Sequence, residues 1–103
     1  MMPTVLEEAG KLIHGDRQQH YGPPKENLGN IAEFFSIYIH GRLVAWAREG
    51  EDPLDFHLDA NDVCNLMVLL KTAREATGQG YHRDSTVDVC GYAALKEVMH
   101  NGT

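Results

Sequence analysis

Apolar residues along this chain recur at helical spacing, in four blocks separated by polar stretches rich in glycine, proline or acids. The first block, Val5, Leu6, Ala9, Leu12 and Ile13, makes one face of a short amphipathic helix. Thr4-Val-Leu-Glu7 opens it as a capping box, since the Thr hydroxyl and the Glu carboxylate can each satisfy a backbone amide that the first turn leaves unpaired. Gly15 closes it.

Pro23 and Pro24 suit a helix start, because the first turn would leave a proline's missing amide unpaired anyway. A second helix is expected from there to about Arg48, with Leu28, Ile31, Phe35, Tyr38 or Ile39, Arg42 or Leu43, and Trp46 recurring on one side. Gly41 should weaken or bend it near its end. The acidic loop "EGEDPLDFHLD" follows and ends on Asp59, which suits an N-cap.

The third helix, "ANDVCNLMVLLKTAREAT", carries Val63, Cys64, Leu66, Met67, Val68, Leu69 and Leu70 around most of its circumference, which predicts the central, buried helix. Gly78 and Gly80 end it. A last helix starts near Asp84-Ser85, with Val87, Cys90, Gly91, Tyr92, Ala94, Leu95, Val98 and Met99 as its apolar set. Nothing alternates with period two, and no internal repeat is visible. The fold expected is all-α and four-helix bundle-like, a single domain over residues 1–103. A helix apolar on most sides needs cover on most sides, and three partners in so short a chain supply it thinly. A homo-oligomer, a dimer or higher, is the expectation.

Composition narrows the function classes. Hydrophobic residues make up 43% and charged residues 23%, which places the chain among folded globular proteins rather than disordered ones. The formal net charge of −6 argues against a binder of nucleic-acid polymer, which needs surplus Lys and Arg to displace counterions. A small phosphorylated ligand is still compatible with that charge, because a few clustered basic groups can hold one. Cys64 and Cys90 both fall in apolar helical segments and read as reduced, buried thiols. With no secretory leader pattern and no apolar run near the ~20 residues that cross a bilayer, the expectation is a cytoplasmic protein with no membrane partner.

Several polar residues lie where their cost asks for a reason. Asp84 and Asp88 are four apart on one helical face, a repulsive pair unless a cation lies between them. They suit Mg²⁺ or Mn²⁺, hard ions that take carboxylate oxygens. Alternatively Asp84 serves the helix N-terminus and Asp88 pairs with a nearby Arg. Asp62 and Asn65 share a face of the third helix, where Asp62 either joins a metal site or simply meets the helix dipole. Arg74 returns onto the stripe of Val63, Met67 and Leu70, so its guanidinium must reach water or find an anion, either Asp88 or a ligand phosphate. Lys71 lies on another side and is expected in solvent unless a neighbouring subunit approaches. The six histidines form no compact pair, which disfavours zinc, and no Walker, Rossmann or G-x-S-x-G pattern occurs.

Three segments, "GDRQQHYGPPKEN", "DVCNLMVLLKTARE" and "DSTVDVCGYAAL", together resemble a family of small phage and prophage proteins of unassigned function. That family is similar to the nucleotide-modification-associated domain and, more distantly, to the MazG-like all-α nucleoside triphosphate pyrophosphatases. The resemblance spans roughly residues 6 to 97. It implies an oligomeric, MazG-like helical bundle that places a nucleotide between helices. In MazG-like enzymes, a Glu-x-x-Glu pair and a Glu-x-x-Asp pair hold Mg²⁺. Here the first pair would fall on Asn30 and Glu33 and the second on Asp62 and Asn65, each half neutralised, with Asp84 and Asp88 able to compensate beside Glu26 or Glu33.

Two functions follow from that resemblance. In a Mg²⁺- or Mn²⁺-dependent pyrophosphohydrolase, Asp62 and Asp88 would be catalytic, and Asp62, Asp84, Asp88 and Glu33 would hold the metal. Arg17, His20, Tyr21, Lys71, Arg74 and Tyr92 would bind the nucleotide. The alternative is an anti-defence sponge that sequesters a cyclic nucleotide or an ADP-ribose-derived signal, needs Arg17, His20, Tyr21 and Arg74, and has no metal. A third reading is an assembly or regulatory bundle with no small ligand.

Overall fold

A computed structural model describes residues 4–14 and 23–102. They form four α-helices joined by loops and one 3₁₀ turn, with no strand among the described residues: α1, Val5–His14; α2, Pro24–Arg48; α3, Ala60–Thr77; and α4, Arg83–His100. No helix among these residues is long and apolar enough to cross a membrane.

The local signals explain the boundaries. The Thr4 hydroxyl accepts the Glu7 amide at 3.1 Å and opens α1. Pro24 stands in the first turn of α2, which runs unbroken through Gly41. Asp59 and Asp62 form a reciprocal capping box at the start of α3, each side chain accepting the other's backbone N–H, at 2.8 and 3.0 Å. Gly80, at φ +92°, makes the tight turn between α3 and α4 with a backbone conformation that a side chain would oppose.

α3 is central, packed on α2 along one side and on α4 along the other. The 3₁₀ turn Pro53–Asp55 lies against α2. It is pinned there by Trp46, whose indole N–H donates to the Asp52 carbonyl at 2.9 Å and whose ring meets Phe56 and His57 edge-on. Among the described residues, α1 makes no substantial packing contact with the other helices.

Among the described residues the buried apolar set is small: Ile31, Cys64, Leu66 and Ala73. α4 differs most from the expectation. Its inward positions are Ser85, Val89, Tyr92 and Lys96, with the N-cap His82 beside them and Met99 turned toward the start of α3, whereas Val87, Cys90, Gly91, Ala94, Leu95 and Val98 face outward. Cys90, expected to be buried like Cys64, is therefore exposed. The hydrophobic count along α4 marks an apolar face, but only the partner helix decides which face turns inward. α3 meets the mixed face because its own Asn65 and Lys71 need polar partners there.

Candidate functional site

Both helix pairs run antiparallel, and their hydrogen bonds fix the registers. Between α2 and α3, the Asn30 amide donates to the Ala73 carbonyl at 3.1 Å, Asn65 to the Tyr38 hydroxyl at 2.9 Å, and Arg42 Nε to Asp62 at 2.8 Å. Between α3 and α4, Lys96 donates to Asn65 at 2.7 Å and Lys71 to Asp88 at 2.9 Å. These pairs produce two polar zones at different heights in the bundle.

The lower zone is centred on Asp62, which is only 2% exposed. One carboxylate oxygen accepts from the Tyr38 hydroxyl at 2.7 Å and from Arg42, and the other accepts the Asp59 amide. Burial alone would raise this carboxyl, but the hydrogen bonds from Tyr38, Asp59 and Arg42 outweigh it and hold Asp62 below the ordinary carboxylate range. Burial pushes the Tyr38 phenol up; Asn65 opposes that shift and the Asp62 charge adds to it. Through Asn65 the network reaches Lys96, so one chain of hydrogen bonds ties three helices together.

The upper zone is a cleft of about 190 Å³ between α3 and α4, lined by Lys71, Thr72, Glu75, Ser85, Thr86 and Val89. Lys71 is held in place, its side chain 16% exposed and bonded to the half-exposed Asp88, rather than free in solvent as expected. The register puts Lys71 level with Asp88, and the two form an ion pair at 2.9 Å. At the cleft mouth Glu75 accepts the His82 backbone N–H at 3.1 Å, and the His82 ring lies 2.9 Å from the buried Ser85 hydroxyl. Ser85 and Thr86 belong to the first turn of α4, where the helix dipole favours negative charge.

The structure distributes the expected site residues unevenly. Lys71 and Asp88 are together, and Tyr92 lies half-buried between their level and that of Asn65 and Lys96. Arg74 is half-buried on α3, one turn from Lys71. Asp84 is exposed at the start of α4. Asp62 is nine residues before Lys71 on α3, roughly 13 Å below the Asp88 pair. Glu33 lines an open groove on α2 with Lys25, Glu26, Gly29, Asn30 and Thr77, roughly 12 Å along the bundle from Asp62. Arg17, His20 and Tyr21 lie outside the described residues.

Asp62, Asp84, Asp88 and Glu33 therefore do not converge within one chain. Among the described residues no group of three or more His, Cys, Asp or Glu stands close enough to hold a metal ion. With Asp62 already accepting three hydrogen bonds and Asp88 tied to an ammonium, these acids do not fit Mg²⁺ or Mn²⁺ on a single subunit. Sequence reasoning passed over Tyr38, Arg42, Lys96 and Ser85. Tyr38 and Arg42, four apart beside the stripe of α2, carried a signal in their spacing. Ser85 and Lys96 carried none, because only the turn of α4 brings them inward.

Residues 4–100 match the family described as a domain of unknown function, DUF6378. The chain belongs to this family. It is similar to the Gene 55 protein of Mycobacterium phage D29, 43% identical over 100 residues, which cover 97% of this chain and 56% of that protein. It is also similar to the Gene 55 protein of Mycobacterium phage L5, 35% identical over 96 residues, 93% of this chain and 52% of that protein. The chain thus spans about half the length of these relatives. No solved structure matches it. The family and the phage relatives support the expectation of a small phage protein of unassigned function.

Proposed function

We propose that this family member binds a nucleotide through its phosphate in the α3–α4 cleft, as part of a homo-oligomer, and holds it without cutting it. The observation that carries the reading is the cleft lining: one nearly buried ammonium, Lys71, with the hydroxyls of Thr72, Ser85 and Thr86 beside the first turn of α4, and one carboxylate, Glu75, that accepts the His82 amide at the mouth. An ammonium, a helix N-terminus, and hydroxyls that would turn from their present partners, Thr72 from the Val68 carbonyl and Thr86 from the His82 carbonyl, form a donor set suited to phosphate oxygens. About 190 Å³ holds a phosphoryl group and part of a sugar, leaving the base outside the cleft. Lys71 then exchanges a half-exposed carboxylate for a doubly charged phosphate, a trade that electrostatics favours.

The resemblance to nucleotide-handling and MazG-like proteins supports the ligand class. The separation of the acids favours holding over hydrolysis, since the positions of the MazG-like second pair, Asp62 and Asn65, are bound up with Tyr38, Arg42 and Lys96. Nucleoside triphosphates, cyclic nucleotides and ADP-ribose derivatives all carry the phosphate this cleft suits, and sequestering one of the latter two fits an anti-defence role. The test is a nucleotide panel incubated with the chain and Mg²⁺. At least one member is expected to bind and to be recovered intact. Pyrophosphate release that depends on Mg²⁺ or Mn²⁺ would establish the hydrolase instead, and no binding by any member would end the nucleotide reading.

A further inference from the structure

The outer face of α4 is apolar and lies open in the single chain. Val87, Leu95 and Val98 are 50%, 49% and 43% exposed, and Cys90, Gly91 and Ala94 lie among them. A Cβ built on Gly91 would meet open space. The inner face is already committed to α3 through Ser85, Val89, Tyr92 and Lys96. We propose that a second copy of this chain covers the outer face, with the two α4 helices packed antiparallel across a two-fold axis at Gly91.

Among the described residues only Ile31, Cys64, Leu66 and Ala73 are buried apolar side chains, and an isologous pair covers the outer face of α4 with one surface used twice.

The side chains select the geometry. Cys90, Gly91 and Ala94 are small enough for two helix backbones to approach closely. A crossing at Gly91 sets Val87 of one copy level with Leu95 of the other. Arg83 and Glu97 flank the same edge of the face at opposite ends of α4. Antiparallel packing brings each Arg83 within a turn of the other copy's Glu97 along one edge of the face. This arrangement is independent of the nucleotide reading, and ligand-free protein tests it.

Sedimentation of the full chain at micromolar concentration, together with treatment by a short bismaleimide, decides the matter. The expected results are a mass twice that of one chain, a covalent dimer formed through Cys90, and loss of that product in Cys90→Ser. Cys64 is buried and should not contribute. Ala94→Glu, at an exposed position, should weaken association at least tenfold while far-ultraviolet dichroism is unchanged. If that variant does not fold, the crosslink in the unsubstituted chain still decides. A monomeric mass, a dimer that does not crosslink through Cys90, or a folded Ala94→Glu chain that associates as before would overturn the proposal.

Discussion

Asp62 is nearly inaccessible to water, yet its charge is kept because three donors meet its two oxygens. Removing the carboxylate strands Arg42 and the Tyr38 hydroxyl, so Asp62→Ala should cost about 3 kcal/mol in urea unfolding, near the low end for a broken buried pair because Arg42 still reaches water. Tyr38→Phe removes one donor and should cost about 1 kcal/mol. Because the folded carboxyl is held below its unfolded value, its contribution is complete above the unfolded pKa of about 3.9 and disappears as pH falls through the lower folded value. Urea midpoints measured from neutral pH down into that range should fall more steeply for the unsubstituted chain than for Asp62→Asn. Lys71 contrasts with Asp62: its partner Asp88 is 48% exposed, so Lys71→Ala should change stability by less than about 1 kcal/mol. Its loss should be read in ligand binding instead.

At the scale of elements, the starts of α1, α2 and α3 have local chemical causes, and the Asp59 cap is the clearest. Asp59→Ala removes one side of the reciprocal box at α3 and should lower stability by about 1 kcal/mol, with thermal unfolding as the readout. Such signals sit within a few residues of one another, which is why the four helices, the end of α2 at Arg48 and the start of α3 at Ala60 were legible from sequence. The facing of α4 was not. Its residues offer both an apolar face and a mixed one, and the polar demands of Asn65 and Lys71 on α3 settled the choice. The candidate site was legible to the same extent. Lys71, Asp62, Asp88 and Tyr92 could be named from residue type and spacing. Which of them meet depends on two interhelical registers, and those are marked by hydrogen bonds between residues distant in sequence.

For the whole molecule, α2, α3 and α4 form an open layer with α3 in the middle and polar chemistry at two heights. The Asp62 network binds the layer together; under the proposed function the Lys71 cleft receives the ligand, and under the proposed pairing the apolar side of α4 meets another copy of the chain. If these roles are separable, changes at the cleft should leave fold and association intact. The central claim is that Lys71 receives a nucleotide phosphate. Isothermal titration calorimetry of the full chain against nucleoside triphosphates, cyclic nucleotides and ADP-ribose derivatives tests it directly, with Lys71→Ala run beside it. The account predicts saturable heat with at least one ligand, weakened at least tenfold in Lys71→Ala at unchanged helix content. Absence of heat with every ligand, or equal affinity in the two proteins, would contradict it.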